Sequence, residues 1–169
     1  MSKIKGDAVK RLFAGSGFTY GFGLEGSKFT YSAAGSPFTM AFAAPWLKAD
    51  PLAEYDLVAV RKMLTSMLES ARAEYKVYMY LQDPENVDMI TRTMTEFGMT
   101  YDEADRQFYY VRDGKAVFGV DFDYIASMIC TGKTDKDKLL ETLGDMLETA
   151  EYEAQESKRA RKLENGSKV

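Results

Sequence analysis

The sequence predicts an α+β fold: antiparallel strands packed by three principal helices, ending in a long C-terminal helix. Three observations carry this expectation. They are a charge-poor stretch with a period of two, two Asp-Pro helix starts, and an Asp-Gly dipeptide between alternating apolar residues. The 169 residues are 46% hydrophobic and 28% charged, a balance that supports a packed core. One domain is expected over residues 1–156, followed by a basic tail over residues 157–169.

The stretch from Leu12 to Ala44 holds two charges, Glu25 and Lys28, among six glycines and eight aromatics. Within it Ser16-Gly-Phe-Thr-Tyr20, Ser27-Lys-Phe-Thr-Tyr31 and Ser36-Pro-Phe-Thr-Met40 repeat one pattern. Large apolar residues alternate with small or hydroxyl residues, which reads as a three-strand meander with Gly/Ser turns. Asp50-Pro51 supplies a capping side chain and a proline suited to a first helical turn. Leu57, Val60, Leu64, Met67, Leu68, Ala71 and Tyr75 then recur at helical spacing. Tyr75 to Leu81 reads as a strand, with Val77, Met79 and Leu81 alternating against Tyr78 and Tyr80.

Asp83-Pro84 repeats the helix start. Val87, Ile90, Met94 and Phe97 form the inward face of that second helix, and Gly98 suits the left-handed position after its end. Thr100 and Glu103 have capping-box spacing for a further short helix. Phe108 to Arg112 and Lys115 to Val120 flank Asp113-Gly114, a favoured two-residue hairpin turn. In the register of that turn Tyr109 faces Phe118 and Val111 faces Ala116, giving one apolar side. The last helix is expected from about Thr134 to Arg161, capped by Thr134 and Asp137. Leu139, Leu143, Met146, Leu147, Ala150 and Ala154 form its buried stripe, with Asp137, Glu141, Asp145 and Glu148 on the opposite face. Thr134 to Glu156 carries eight acids and two lysines, whereas the tail from Ser157 carries five basic residues and one acid. Basic residues near a helix C-terminus also complement its dipole.

The composition restricts the chemistry. There is no histidine, which removes Ser-His-Asp and Cys-His nucleophiles and His-ligated zinc. The single cysteine, Cys130, cannot form an internal disulfide or a multi-cysteine metal site. It lies among Ile125, Met128 and Ile129, which suits a buried structural thiol. A net charge of −4 argues against non-specific nucleic-acid binding. The longest apolar run, Met40 to Leu47, has eight residues and contains Pro45, too short to span a membrane. Gly15, Ser16 and Gly17 interrupt the apolar residues after Lys3, Lys5, Lys10 and Arg11 before an export signal can form. A reducing cytoplasmic setting is expected.

Several motifs match chemistry only in part. Gly21-Phe-Gly-Leu-Glu-Gly26 fits GxGxxG, but strand-like residues follow where a dinucleotide site needs a helix. Gly132-Lys133-Thr134 matches the end of a phosphate-binding loop, yet Ser127 stands where its first glycine belongs. A nucleotide or phosphate held by Gly21, Gly23 and Gly26, or by Lys133 and Thr134, is thus an alternative to plain turns and caps. Asp121 and Asp123 lie two apart at the hairpin exit, with Asp102, Glu103 and Asp105 nearby in sequence. Two carboxylates need a third converging oxygen to hold Mg²⁺, and nothing in the sequence fixes the placement of these candidates. No cofactor or metal is expected.

The order strand 75–81, helix 84–97, hairpin 108–120 and helix resembles part of a ferredoxin-like fold. Val77-Tyr78-Met79 resembles the opening of the base-stacking motif in RNA-recognition domains. Lys115 to Phe122 keeps only the second motif's lysine, a valine and its last aromatic. An RNA-binding module, or a nucleic-acid mimic using the acidic helix row, is accordingly a further alternative.

The leading expectation is a non-catalytic interaction or assembly protein that binds a protein partner or a second copy of itself. It would use Thr19, Tyr20, Thr30, Tyr31 and Ala41 on the charge-poor strands, with Asp137, Glu141, Asp145 and Glu148 on the last helix. Aromatic and methionine-rich surfaces with few charges suit protein contacts. Such a motif-free chain is compatible with a small virus- or mobile-element-encoded accessory or inhibitor protein.

Overall fold

A computed structural model describes residues 1–167 and shows the expected α+β class. Every strand pairing is antiparallel, in sheets ordered β1 (Lys3–Lys5) with β5 (Glu54–Asp56), then β2 (Phe18–Gly23), β3 (Gly26–Ser32) and β4 (Thr39–Ala43), then β6 (Thr100–Asp102), β7 (Gln107–Arg112) and β8 (Lys115–Asp121). The chain forms two compact units, Met1–Tyr78 and Met79–Val169, and the division falls inside a helix.

The first unit begins with β1 (Lys3–Lys5) and α1 (Gly6–Ala14). No side chain caps α1; instead the Gly6 and Asp7 N–H groups donate to the carbonyls of Ala53 and Pro51. That close approach favours a glycine, because a Cβ on Gly6 would stand 3.0 Å from the Asp50 carbonyl oxygen and the backbone there would have to give. The expected meander follows as β2 (Phe18–Gly23), β3 (Gly26–Ser32) and β4 (Thr39–Ala43). Its aromatic face meets α1: the Phe13 and Phe29 rings stack at 4.1 Å, with Phe18 edge-on to Phe13 at 5.6 Å. Val9, Ala44, Leu47 and Val60 complete the buried cluster. Each buried Phe, Val or Leu side chain of the cluster contributes roughly 1.5–3 kcal/mol on burial.

The helix expected at Asp50-Pro51 starts later. Asp50 accepts from the Leu52 N–H in a local turn, and β5 (Glu54–Asp56) then pairs with β1. Asp56 caps α2 (Leu57–Leu81) by accepting from the Val58 and Ala59 N–H groups at 2.8 and 3.3 Å. The strand expected at Tyr75–Leu81 is instead the last part of α2. No glycine or proline interrupts the chain between Leu57 and Leu81, so the hydrogen-bond ladder continues through the tyrosines. Phe38 packs against Tyr75 and Tyr78, three residues apart on the helix, at 5.5 and 5.4 Å.

The second unit contains α3 (Pro84–Phe97), β6 (Thr100–Asp102), β7 (Gln107–Arg112), β8 (Lys115–Asp121), α4 (Phe122–Cys130) and α5 (Lys136–Gly166). α3 has the start and stop read from the sequence: Asp83 accepts from the Glu85 N–H at 3.0 Å, and Gly98 has φ 104°. The capping box expected at Thr100 and Glu103 is absent. Thr100 and Tyr101 pair with Tyr109 and Phe108, while Asp102 turns the chain by accepting from the Ala104 N–H. Tyr101 gains ring contact with Phe108 at 5.0 Å, a packing contribution that local cap spacing does not reveal.

The Asp113-Gly114 turn forms as expected, with φ 53° and 71°. A bulge between Tyr110 and Val111 shifts the remaining register, so Phe118 faces Tyr110 rather than Tyr109. Tyr110 and Phe118 stack at 5.7 Å, while Tyr109 lies over Gly119. α5 packs on β8 and α3, burying Leu139 and Leu143, and Asp135 caps it by accepting from the Lys138 N–H. The expected basic tail is helical through Gly166.

Candidate functional site

The register of β2, β3 and β4 aligns Thr19 with Thr30 and Thr30 with Ala41, giving one row across the sheet. Thr19 and Ala41 are exposed and Thr30 is half-buried. Gly21, Lys28 and Ala43 form the next row, with Ser32 and Thr39 at the other end of the same face. Lys28 is the face's one charge. Its side chain lies flat, with Cε 3.5 Å from where a Cβ on Gly21 would stand. β2 and β4 are the edges of this sheet, and neither strand carries a charge or a proline.

Tyr20 and Tyr31 belong to the opposite, core-packed face. This follows from the strand period of two, which sets them opposite Thr19 and Thr30. Lys10 lies over the Tyr20 ring at 4.1 Å, and Tyr20 packs edge-on to Phe29. Ser27 donates to the Leu47 carbonyl at 2.8 Å, leaving the Tyr20 hydroxyl to donate to Ser27 at 3.1 Å. The ring's polar end is thereby satisfied internally. Tyr31 packs against Phe18 at 5.5 Å.

Asp137, Glu141, Asp145 and Glu148 are all exposed and form the expected row opposite Leu139 and Leu143. Among the described residues none of these four carboxylates forms an ion pair. Tyr152 extends the row one turn further and is 64% exposed. Its i+4 spacing from Glu148 was the available signal. Phe22 and Leu24, also exposed, project near the β2–β3 turn.

The glycine motifs lack converging phosphate donors. Gly21 and Gly23 lie in β2, and Gly23 pairs with Gly26 across a two-residue turn. Extended backbone of this kind directs successive N–H groups alternately rather than toward one anion. Gly132, φ 70°, ends α4: its N–H donates to Ile129, and those of Lys133 and Thr134 donate to Met128. These bonds satisfy helix carbonyls and occupy the donors a phosphate would need.

Asp121 and Asp123 also have local partners. Asp121 caps α4 through the Tyr124 N–H at 2.8 Å, whereas Asp123 receives both Nη2 and Nε of Arg106, at 2.6 and 3.2 Å. The hydrogen bond with Asp123 raises the Arg106 pKa, outweighing the opposing effect of burial. No group of three or more Cys, Asp or Glu residues arranged for a metal occurs among the described residues. The stretch containing Val77-Tyr78-Met79 is helical, so the strand required by the RNA-recognition resemblance does not form.

Cys130 is half-buried at the end of α4. Burial, followed by the influence of Cys130 and Asp83, raises the Tyr80 pKa above its ordinary value of 10.0. An apolar cavity of about 90 Å³ lies among Val120, Tyr124, Ile125, Met128, Leu139 and Leu143. It is well below the roughly 300–1,000 Å³ of ordinary ligand pockets. No helix among the described residues is long and apolar enough to cross a membrane. No family model, curated protein or solved structure matches the chain.

Proposed function

We propose that this is a non-catalytic interaction or assembly protein that binds a protein partner or a second copy through the open face of β2, β3 and β4. The Thr19–Thr30–Ala41 row carries the proposal. Its neighbours are glycine, alanine, serine, threonine and one lysine, whereas a permanently wet strand face ordinarily alternates charged or strongly polar residues with its core positions. Gly21 and Ala43 contribute little cross-strand packing of their own. A covering surface can approach such a flat face closely, and the uncharged edge strands offer backbone groups for pairing. The exposed acidic face of α5 is the second proposed contact surface. The single cysteine fits the proposed reducing, cytoplasmic setting, and an accessory or inhibitor protein of viral or mobile-element origin is one class consistent with this role.

Thr19→Glu, Thr30→Glu and Ala41→Glu test the proposal directly. Each places a charge on the face, costing several kcal/mol if a dry contact buries it and little if water covers it. Loss of an oligomer or captured partner with unchanged circular dichroism is expected. Folded variants that retain every association would remove this face as the functional surface.

A further inference from the structure

We infer that α5 is self-complementary and pairs antiparallel with α5 of a second copy. The pairing rests on the proposed interaction role and assigns an occupant to the acidic helix face. Helical spacing puts Asp145, Glu148, Tyr152, Gln155, Arg159 and Lys162 on a seam repeating every seven residues, opposite Leu139 and Leu143. Tyr152 is 64% exposed, and Leu163 beside the seam is 76% exposed. The seam changes sign along its length, from two carboxylates to two basic groups.

That reversal selects the orientation. In a parallel, in-register pair, acid meets acid and base meets base. In the antiparallel pair, Asp145 meets Lys162 of the second copy and Glu148 meets its Arg159, while Tyr152 meets Gln155 at the centre. A two-fold axis repeats each contact, making four opposite-charge pairings. Asp145, Glu148 and Lys162 form no ion pair among the described residues; Arg159 has only an exposed local pair with Glu156 at 3.0 Å. Glu151, on the seam's flank, is already neutralised by Arg112 of its own chain. The seam therefore has complementary charges available without breaking a buried bond. Few apolar anchors and many solvated charges specify a weak, salt-sensitive dimer rather than a permanent coiled coil.

The full chain is examined by sedimentation velocity, together with Asp145→Lys/Glu148→Lys and Arg159→Glu/Lys162→Glu, each checked for folding by circular dichroism. Wild type should dimerise at ~0.1 M salt and dissociate toward 1 M, as the screening length falls from ~10 to ~3 Å. Each double variant should be monomeric alone because its seam carries one sign, and an equimolar mixture should restore dimers. A monomeric wild type at low salt, unchanged self-association of the variants, or a mixture that stays monomeric would overturn the pairing. A dimer lost in Thr30→Glu but indifferent to both helix variants would also overturn it, leaving the strand-face proposal standing. The opposite dependence would support helix pairing and remove the strand face as the self-association surface.

Discussion

Phe29 and Phe38 occupy equivalent places in the repeated Phe-Thr pattern but have different environments. Phe29 is fully buried and stacked on Phe13, whereas Phe38 is half-buried against Tyr75 and Tyr78. Urea denaturation should therefore show Phe29→Ala losing about 3–5 kcal/mol and Phe38→Ala less than about 3 kcal/mol. Equal losses would contradict the assigned environments. Tyr80 gives a pH-dependent test. Its raised pKa means that the folded chain retains the phenolic proton more strongly than the unfolded chain. The associated stability is present below the ordinary value of 10.0 and is lost as pH rises through the higher folded-state value. Tyr80→Phe should flatten that part of the alkaline stability profile; an unchanged pH slope would contradict this assignment.

At the scale of elements, local chemistry made some boundaries legible. Asp83-Pro84 and Gly98 specify the ends of α3, and Asp113-Gly114 specifies the hairpin turn. The extent of α2 depends on a continuous backbone ladder that outweighs the alternation at Tyr75–Leu81. β5 gains its partner β1 from more than forty residues away, so Asp50-Pro51 alone mislocates the next helix. The bulge at Tyr110/Val111 likewise depends on cross-strand packing beyond the turn. Among site residues, the strand period of two makes legible both the face of Thr19, Thr30 and Ala41 and the opposite face of Tyr20 and Tyr31. The glycine motifs could be separated from phosphate sites only by seeing where their N–H groups point. Asp56→Ala should cost about 0.5–2 kcal/mol through loss of the α2 cap. Asp50→Ala should stay within about 0.5 kcal/mol, because its turn is exposed. The reverse order in chemical denaturation would contradict the helix start.

For the whole molecule, folding and the proposed association should be separable. Residues 157–167 are exposed, and Ser157, Ala160 and Leu163 add no buried apolar stripe to the helix. Deleting residues 157–169 should leave the main thermal unfolding transition unchanged while removing the basic half of the proposed helix seam. Loss of cooperative unfolding would show that this segment is required by the folded body. The strand face is the more central surface, because Thr30 lies on the middle strand, between Thr19 and Ala41, and its substitution need not disturb the aromatic core beneath. The decisive measurement is light scattering of the captured or self-associated complex with Thr30→Glu, using Thr65→Glu on the exposed side of α2 as a charge-matched control. In about 1 M salt, where pairing through α5 is screened, a folded Thr30→Glu chain should no longer associate and the Thr65→Glu control should. A folded Thr30→Glu chain with the same mass and the same partners as wild type would contradict the strand-face proposal.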